Sequence, residues 1–526
     1  MNCVILPSVL LAMSAGWSLA RASTITVPTD YPTIQQAIDA AVSGDTVLVL
    51  PGTYVERINF GGKAITVASS QGAAVTTIDA GALGSTVTFA QGEGAAAVLA
   101  GFTIKNGTGT GLGGYQVGGG IVCLGSSPTI RDNVVTANHA DRGAGLYGDA
   151  APGVVQNQFV DNAASNAGGG VYADGAAVVD HNQFVRNTAQ EAGGGVYSTR
   201  ALITANVFEA NRGGANGGGG IACHDTTIVA GNVLFYNRGT YGGGIDATEA
   251  SVIVANVLWQ NEGTAGGGGI ACVSSRATIV NNLVFSNQGG LGAGIYCEDR
   301  NPLIRNTTIV KNTGSLGGGV LGGMVESSIL WLNVPDQAHQ VGSITYSDVQ
   351  GGFAGIGNID ADPQFVNPSA SNYRLQLGSP CVDAGDPLDK TCGRDLASNP
   401  RRLDGHLIGH AYVDMGCYEL GHVHVDVSGA ATPGGQLTIE TSGTSGMPVV
   451  LLVGTAPDER CVNPFGPIFI SLASPWLARG WGKIPSSIDL HVPASLPVPF
   501  PVVFQEIALS DTAREGNTSS VALTIE

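Results

Sequence analysis

The chain has 526 residues, enough for two or three domains or for one long solenoid. Hydrophobic residues make up 43%, so a core can form, whereas only 12% are charged and the formal net charge is −18. Such an acidic surface argues against nucleic acid and against polyuronides as partners, and it favours solubility or neutral glycans.

The first 22 residues have the pattern of a secretory signal peptide. An apolar stretch ends in Ala20-Arg21-Ala22, a small-x-small cleavage pattern, so the mature protein is expected to begin at Ser23. No later apolar run reaches about 18 residues, so no membrane span is predicted. We expect an exported monomer, extracellular or at the cell surface.

Residues 23–117 are expected to form an N-terminal cap and the first coils. In "YPTIQQAIDAA" a helix that Thr33 can cap has one apolar face, made of Ile34, Ala37, Ile38 and Ala41. The open end of a stack of β-coils exposes unpaired strand edges, which a helix at this position can cover. Strands are expected at 46–50 and 64–68.

A repeat of 25 residues fills positions 118–357. One apolar residue follows each glycine run, and its spacing is 25 except for one step of 24: Ile121, Leu146, Val171, Val196, Ile221, Ile245, Ile270, Ile295 and Val320. Asparagines five residues apart keep step: Asn133/Asn138, Asn157/Asn162, Asn182/Asn187, Asn206/Asn211, Asn232/Asn237, Asn256/Asn261 and Asn282/Asn287. Alternating apolar and β-branched residues between glycines indicate strands and turns rather than helical repeats. Three short strands per repeat, coiled in register, make a parallel β-helix with about 4.8 Å between coils.

Equivalent positions of such coils stack into columns. The apolar column after the glycine runs is expected to point inward, as are one from Ile130 to Leu303 and one from Val135 to Val284. The asparagine amides are expected to form ladders along the axis, and the glycines to permit φ > 0 and close backbone approach. A phosphate-binding glycine loop would need a following helix, which the pattern does not contain.

The outward column next to the glycine runs is where chemistry on this architecture would show, and it contains one acid, Asp246. Ala222 and Ala271 flank it, and His224, Asp225 and Glu249 lie on nearby turns. Asp246 is therefore the candidate catalytic acid or base, with His224 as partner. The competing interpretation is a solvated strand residue.

The same column holds tyrosines at Tyr147, Tyr172 and Tyr197 on three consecutive coils, and again at Tyr296. An outward aromatic row can stack on sugar rings, so these residues are the candidate binding site. The alternative is a self-stacking ladder covered by a loop. Cys272 and Cys297 occupy adjacent coils within disulfide range, and a stacked pair of free thiols is equally compatible with the sequence.

The repeat is lost in residues 358–424, which are expected to form a turn-rich C-terminal cap stapled by Cys381 and Cys392. Four aspartates, Asp383, Asp386, Asp389 and Asp395, offer oxygens suited to calcium, although they match no EF-hand spacing and can equally be turn-making residues. No other cofactor is expected. Residues 425–526 alternate valine, leucine and threonine with Pro/Gly turns, which predicts a small β-sandwich.

Three stretches resemble known families. "TIQQAIDAA" followed by "GDTVLVLPGTYVE" resembles the N-terminal cap of the pectin-lyase-like superfamily, which implies a right-handed parallel β-helix. "FVDN", "FVRN" and "FEAN" after glycine runs resemble the repeat of polymorphic outer-membrane adhesins, and "SPCVDAGD" with "VDMGCYE" resembles a segment that follows such helices in surface-associated proteins.

These resemblances and the sparse outward chemistry predict a non-catalytic, adhesin-like or glycan-binding protein whose partner is a neutral polysaccharide or cell-surface glycan. No two neighbouring coils pair carboxylates on a strand face, as glycosidic cleavage requires. The alternative is a carbohydrate-active enzyme of the same fold, a polysaccharide lyase or a glycoside hydrolase.

Overall fold

The computed structural model describes residues 22–299, 301–389, 393–402 and 412–420, and beyond these the backbone of nine strands between Val423 and Ile525. The predicted signal peptide, apart from Ala22, lies outside the described residues. No helix of the described part of the chain is long and apolar enough to cross a membrane.

The chain from Thr24 to Val349 forms an all-β parallel β-helix, as the repeat predicted. Each repeat contributes strands to sheets that run along the whole stack, and strands of successive repeats pair in parallel. We number the sheets 1 to 4 in the order in which one coil passes through them.

Sheet 1 has 14 strands. They are Thr24–Val27, Thr46–Val49, Thr66–Ser69, Val98–Ala100, Thr129–Arg131, Gly153–Val155, Val178–Asp180, Leu202–Thr204, Ile228–Ala230, Val252–Val254, Thr278–Val280, Leu303–Arg305, Met324–Glu326 and Ser343–Thr345.

Sheet 2 has 13 strands. They are Gly52–Val55, Thr76–Asp79, Thr103–Lys105, Val134–Thr136, Gln158–Val160, Gln183–Val185, Val207–Glu209, Val233–Phe235, Val257–Trp259, Leu283–Phe285, Thr308–Val310, Ile329–Trp331 and Asp348–Val349.

Sheet 3 was not predicted, and it lies between the second asparagine and the glycine run of each coil. Its first part has five strands, Thr110–Leu112, Tyr115–Val117, His139–Arg142, Ala163–Ala167 and Thr188–Ala189, of which the first two form an antiparallel hairpin. Its second part has four strands, Arg238–Tyr241, Glu262–Gly266, Gln288–Leu291 and Thr313–Leu316. Only isolated bridges from Thr188 to Arg212 and from Arg212 to Arg238 join the two parts. The sheet is therefore interrupted at residues 213–217.

Sheet 4 has 12 strands and begins after each glycine run. They are Ile58–Asn59, Val87–Phe89, Ile121–Cys123, Leu146–Gly148, Val171–Ala173, Val196–Ser198, Ile221–Cys223, Ile245–Glu249, Ile270–Ser275, Ile295–Cys297, Val320–Leu321 and Ala338–His339.

The core fills the interior of the coils. All nine residues of the predicted column from Ile121 to Val320 are fully buried and pair in register with their neighbours, which confirms that prediction. Phe159, Phe184 and Phe208 stack inside, with ring centroids 5.0 and 4.7 Å apart. The prediction of the column that begins at Ile130 was wrong for its last member, because Ile279 pairs with Ile304 rather than with Leu303. The reason is that Thr307, not Asn306, takes the place of the first asparagine in that coil.

The two asparagine columns are buried ladders. Asn157 shows the pattern: its Nδ2 donates to the backbone oxygen of Ile130 in the preceding coil (2.8 Å) and to Oδ1 of Asn182 in the next (3.1 Å). The residue before each asparagine has left-handed backbone, as His181 (φ 53°) does before Asn182. Both bends of the coil are therefore made by a left-handed residue that places an asparagine amide inside.

The glycine runs serve two purposes, both of them predicted. Gly168 has φ +69°, and a Cβ there would lie 2.6 Å from the backbone oxygen of Val171. Gly170 has ordinary φ, but a Cβ there would lie 2.6 Å from the backbone oxygen of Gly195 and 2.7 Å from the Phe184 ring. The run is thus needed for the turn at its start and for close packing at its end.

One helix, Ile34–Ala40, lies at the N-terminal end of the stack. The Thr33 side chain accepts a hydrogen bond from the Gln36 N–H, and Ile34, Ala37 and Ile38 are buried in the same apolar cluster as the first strands. The Glu56 carboxylate accepts from the N–H groups of Ile34 and Gln35 (both 2.9 Å), which satisfies two of the free donors at the start of the helix.

After the coils, a segment with little regular structure packs on the outside of sheet 2. It contains antiparallel strands Phe365–Asn367 and Asn372–Leu375 around the 3₁₀ turn Pro368–Ala370. Phe365, Tyr373 and Met415 cover the outward residues Phe285 and Val310 of the coils. We call residues 363–389, 393–402 and 412–420 the C-terminal segment.

Beyond it, nine strands pair in antiparallel fashion: Val423–Gly429, Gln436–Gly443, Pro448–Gly454, Pro457–Val462, Gly466–Ile470, Pro475–Lys483, Ser486–His491, Phe500–Leu509 and Gly516–Ile525. The β-sandwich expected for residues 425–526 stays a prediction.

Candidate functional site

Asp246 is buried rather than solvated, so the expectation of an exposed strand residue is wrong. Its side chain is only 4% exposed, and its Oδ1 has no hydrogen-bond partner. Gly217 lies so close that a Cβ there would be 2.0 Å from Oδ2 of Asp246. The glycine loop that interrupts sheet 3 therefore covers the carboxyl group, and burial alone raises the pKa of Asp246 to about 7.

The other predicted members of this site do not join Asp246. His224 Nδ1 pairs with Oγ1 of Thr248 at 2.7 Å, and its ring contacts Tyr197. Burial lowers the pKa of His224, and the charge of Glu249 opposes that change. Asp225 and Glu249 occupy left-handed turn positions, with φ of 51° and 59°. No hydrogen bond or ion pair of the described residues joins Asp246 to His224, whose Nδ1 pairs with Thr248 instead, so the expected acid–base pair is not formed in this structure.

The tyrosine row exists, but its ring faces are covered. Tyr147 and Tyr172 are 6% and 7% exposed, and the rings of Tyr147, Tyr172 and Tyr197 stack with centroids 5.3 and 4.6 Å apart. Val117 and Ala167 at the ends of sheet 3 strands pack over them. The expectation of exposed ring faces is wrong for Tyr147 and Tyr172: Tyr172 is stacked between two rings, and Tyr147 stacks on Tyr172 and packs in the same apolar cluster. Tyr296 is half-buried beside Tyr241, 6.2 Å away.

The described cysteines are buried free thiols. Cys272 and Cys297 are register partners in adjacent coils inside the stack, as the sequence indicated, and they are not joined by a disulfide. Cys381 donates its S–H to Oδ2 of Asp348 (3.2 Å). Its predicted partner Cys392 lies outside the described residues, so the staple of the C-terminal segment stays a prediction.

The aspartates considered for calcium take part in turns of the C-terminal segment. Oδ1 of Asp395 accepts from the N–H groups of Ala397 and Asn399 (2.8 and 2.6 Å), and its Oδ2 accepts from the N–H of Glu419. Asp386 accepts from its own turn, at Leu388 N–H, while Asp383 and Asp389 donate backbone N–H groups to Asp414 and to Asp386. Within the described ranges, no three His, Cys, Asp or Glu side chains converge as metal ligands.

A buried ion pair organises the same segment. Nη1 of Arg401 lies 3.1 Å from Oε1 of Glu419, and both side chains are almost completely buried. The Arg401 guanidinium also donates to the backbone oxygens of Gly416 and Asp414. These bonds hold the "VDMGCYE" turn, so the motif that resembled surface-associated proteins has a structural use here.

The outer surface of sheet 3 carries an open groove with a cavity volume of about 540 Å³. Its floor is made of small side chains from consecutive coils, Ala140, Ala164 and Ala189. Polar side chains border it, among them His139, Asp141, Gln190 and Arg212. We call it the sheet-3 groove.

A second depression of about 440 Å³ continues from it, and we call it the arginine corner. Thr188 and Arg212 line both. The residues after the second asparagine form one column that runs through the two depressions in register: His139, Ala163, Thr188, Arg212, Arg238 and Glu262. The five steps of about 4.8 Å between these six coils give a continuous track about 24 Å long.

The charges along this track balance, because three arginines stand against three carboxylates: Arg186, Arg212 and Arg238 against Asp141, Asp161 and Glu262. Arg186 pairs with Asp161 (2.8 Å) and Arg238 with Glu262 (3.3 Å), and all four side chains are exposed. Arg212 lies between them, is exposed, lines both depressions, and takes part in none of the ion pairs found among the described residues. Sequence analysis missed this site because sheet 3 was not predicted. Its signal was a column of small residues two positions after the second asparagine: Ala140, Ala164, Ala189, Gly213, Gly239, Gly263, Gly289 and Gly314.

No family model and no curated protein matches this chain. Among solved structures it is similar to the PL6-family alginate lyase AlyGC, at 14% identity and a TM-score of 0.43, over 76% of this chain and 58% of the lyase. A mutant of that lyase aligns at 16% identity and a TM-score of 0.33, over 65% and 54%. The receptor-binding domain of the siphovirus 9NA tailspike aligns at 11% identity and a TM-score of 0.28, over 95% and 98%. The chain thus spans little more than half of the lyase.

Proposed function

We propose that this protein is an exported, monomeric, adhesin-like β-helix that binds a neutral polysaccharide or cell-surface glycan along the track formed by the sheet-3 groove and the arginine corner. The observation that carries the proposal is the continuity of that track, in which one column of side chains passes through both depressions. An open track of this length fits an extended polymer better than a small molecule, since small-molecule sites are concave and enclose most of their ligand.

The side chains of the track suit sugar hydroxyl groups. Hydroxyl, amide and imidazole groups on its border both donate and accept, and Arg212 offers up to five N–H donors. The alanine floor lets a ligand lie close to the backbone of the coils. Because cations and anions along the track balance, the site has no net charge to favour an acidic polymer over a neutral one.

Affinity electrophoresis tests this proposal. The protein is run in gels that contain laminarin, mannan, xylan, dextran or a polyuronate. Retardation by at least one neutral polysaccharide is expected. Arg212→Ala is expected to lower the affinity for that polysaccharide at least tenfold. Arg200→Ala, which removes an exposed arginine away from the track, is expected to leave the affinity unchanged. Absence of retardation by every neutral polysaccharide contradicts the proposal.

Product analysis distinguishes the enzymatic alternative from binding alone. The protein is incubated with the same polysaccharides, and the products are analysed. New reducing ends indicate a glycoside hydrolase, and unsaturated products indicate a polysaccharide lyase. Binding without either product supports a binding protein. If Asp246→Asn abolishes a cleavage that the wild type performs, the enzymatic function replaces the one proposed.

A further inference from the structure

A third depression adjoins the arginine corner at Gln260, which lines both. It has a cavity volume of about 450 Å³, within the range of roughly 300–1,000 Å³ typical of ligand pockets. It lies on the outside of sheet 2, where the coils meet the C-terminal segment. We call it the aromatic pocket, and of its residues only Tyr418 belongs to a stretch singled out in the sequence, "VDMGCYE".

Two adjacent coils supply the floor of the aromatic pocket. Val257 and Trp259 pair in register with Leu283 and Phe285, and the Trp259 and Phe285 rings lie nearly parallel with centroids 5.9 Å apart. Phe285 continues into the apolar cluster beneath the C-terminal segment, where it contacts Tyr373. Leu283 and Phe285 are buried, whereas Val257 and Trp259 are partly exposed, so the floor is the partly exposed end of an apolar strip that is otherwise buried.

The rim of the pocket is polar but uncharged. Gln260 and Ser286 occupy the equivalent left-handed bends of the two coils, with φ of 52° and 54°. Ser371 and Tyr418 form the opposite wall. The rim therefore offers one side-chain amide and several hydroxyl groups around a floor of aromatic and aliphatic side chains. None of the eight residues that line the pocket is a carboxylate or a cation.

The wall that the C-terminal segment contributes is anchored to the coils. Lys311 Nζ donates to the backbone oxygen of Pro368 (2.9 Å), and Asn281 Nδ2 donates to that of Arg394 (2.8 Å). Cys417 N–H, next to Tyr418, donates to Oγ1 of Thr308 (3.1 Å). Because these bonds fix the wall before any ligand arrives, binding requires little further ordering.

We propose that the aromatic pocket binds one uncharged sugar residue at the end of a glycan that lies along the track. A sugar ring presents C–H groups that pack on ring edges and aliphatic side chains, and hydroxyl groups that reach Gln260, Ser286, Ser371 and Tyr418. A carboxylated or sulfated sugar would lose the hydration of its charge without gaining a cation on the lining. The inference rests on the proposed function. It adds to it that the end of the glycan bound in the aromatic pocket is an uncharged sugar.

Tryptophan fluorescence tests the inference at the pocket itself. Neutral hexasaccharides (laminarihexaose, mannohexaose, xylohexaose, cellohexaose and maltohexaose) are titrated into the full chain. At least one is expected to change the emission, and Trp259→Phe is expected to remove that change while Trp331→Phe, three coils further along sheet 2, keeps it. A response that survives Trp259→Phe overturns the inference.

A matched pair at Ser371 tests the requirement for an uncharged pocket. Ser371 has φ 58°, a conformation that both Asp and Asn tolerate. Ser371→Asp is expected to weaken binding of the responding hexasaccharide at least tenfold, and Ser371→Asn less than threefold. Equal affinities overturn the inference, and circular dichroism of both variants checks that they fold.

The two proposals fail in different ways. If neutral polysaccharides bind and Arg212→Ala weakens their binding, but no Trp259 signal appears, binding along the track is supported and the sugar site in the aromatic pocket is refuted. If no neutral saccharide binds in either assay, both are refuted. A Trp259 response to unrelated peptides but to no sugar identifies a protein-docking surface and refutes the sugar ligand.

Discussion

The side-chain amide of Asn162 donates to Oδ1 of Asn187 in the next coil, 2.9 Å away, and to the backbone oxygen of Val135 in the preceding coil, also 2.9 Å away. One side chain thus joins three coils. Asn187 repeats the arrangement with Phe159 and Asn211, and all of these amides are buried.

Removal of one amide from this ladder should be costly. Asn187→Ala removes the acceptor of the Asn162 N–H, one of the two acceptors of Asn162 Nδ2, and the side-chain donor to the backbone oxygen of Phe159, all in the interior. We therefore expect a loss of about 1–3 kcal/mol in the free energy of unfolding. Arg186→Ala at the exposed neighbour should stay within about 0.5 kcal/mol. Urea unfolding of both variants checks this, and equal losses would mean that the ladder contributes nothing particular.

Two glycines give a matched pair without positive φ. Gly170→Ala places a Cβ against the Gly195 oxygen and the Phe184 ring, and this overpacking should cost about 1–3 kcal/mol. Gly153→Ala meets nothing closer than 3.9 Å and should be neutral or stabilise by up to about 1 kcal/mol, because alanine has less freedom in the unfolded chain. Thermal unfolding of both variants measures the difference, and a harmless Gly170→Ala would contradict the close packing of the runs.

The tyrosine ladder should behave as core. Tyr172→Ala removes a ring held between Tyr147 and Tyr197, so we expect a loss of about 3–5 kcal/mol in unfolding free energy. Tyr236, which is 56% exposed, is the control, and Tyr236→Ala should change stability by less than about 1 kcal/mol. If Tyr172→Ala instead left stability unchanged and abolished glycan retention, the row would be a binding surface.

Asp246 should make stability depend on pH. Its folded-state pKa of about 7 lies above the ordinary value of 3.8, so the folded protein holds a proton there that the unfolded chain has already lost. Stability should therefore decrease as pH rises from about 4 to about 7. Asp246→Asn has no proton to lose, so its advantage over wild type should grow between pH 5 and pH 8 in urea unfolding. The exposed control Asp174→Asn should follow the wild type, and an unchanged pH profile in Asp246→Asn would show that the carboxyl is hydrated.

Columns of identical or similar residues allowed the coils to be predicted, since stacking turns a repeat of 25 into register partners such as Ile121 and Leu146. The column failed at Leu303, where a threonine replaced the marker asparagine. The left-handed bends were missed because His181, Arg186 and Ala205 share no side-chain chemistry, although all have φ near 53°.

The sites were harder to predict than the coils. Whether Tyr172 or Asp246 is covered depends on sheet 3 and on the loop at Gly217, and neither could be recognised from the pattern of the sheet 4 strands. The aromatic pocket depends on Ser371 and Tyr418, which come from beyond the repeats. The repeats of a single sequence show which positions are register partners in the coils. They do not show where a segment without repeats, such as the one that contains Ser371 and Tyr418, will pack.

The two asparagines divide each coil into a short part between them and a longer part that leads to the next coil. The difference between these two parts matters for engineering. The two asparagines are always five residues apart, whereas the distance from the second to the next first asparagine varies, as from Asn162 to Asn182 and from Asn211 to Asn232. Both ladders stay intact through that variation. The longer part, which includes the turn from sheet 4 to sheet 1 near Asp174, is therefore the place where foreign peptides can be grafted. An insertion between the paired asparagines would instead shift one ladder against the other.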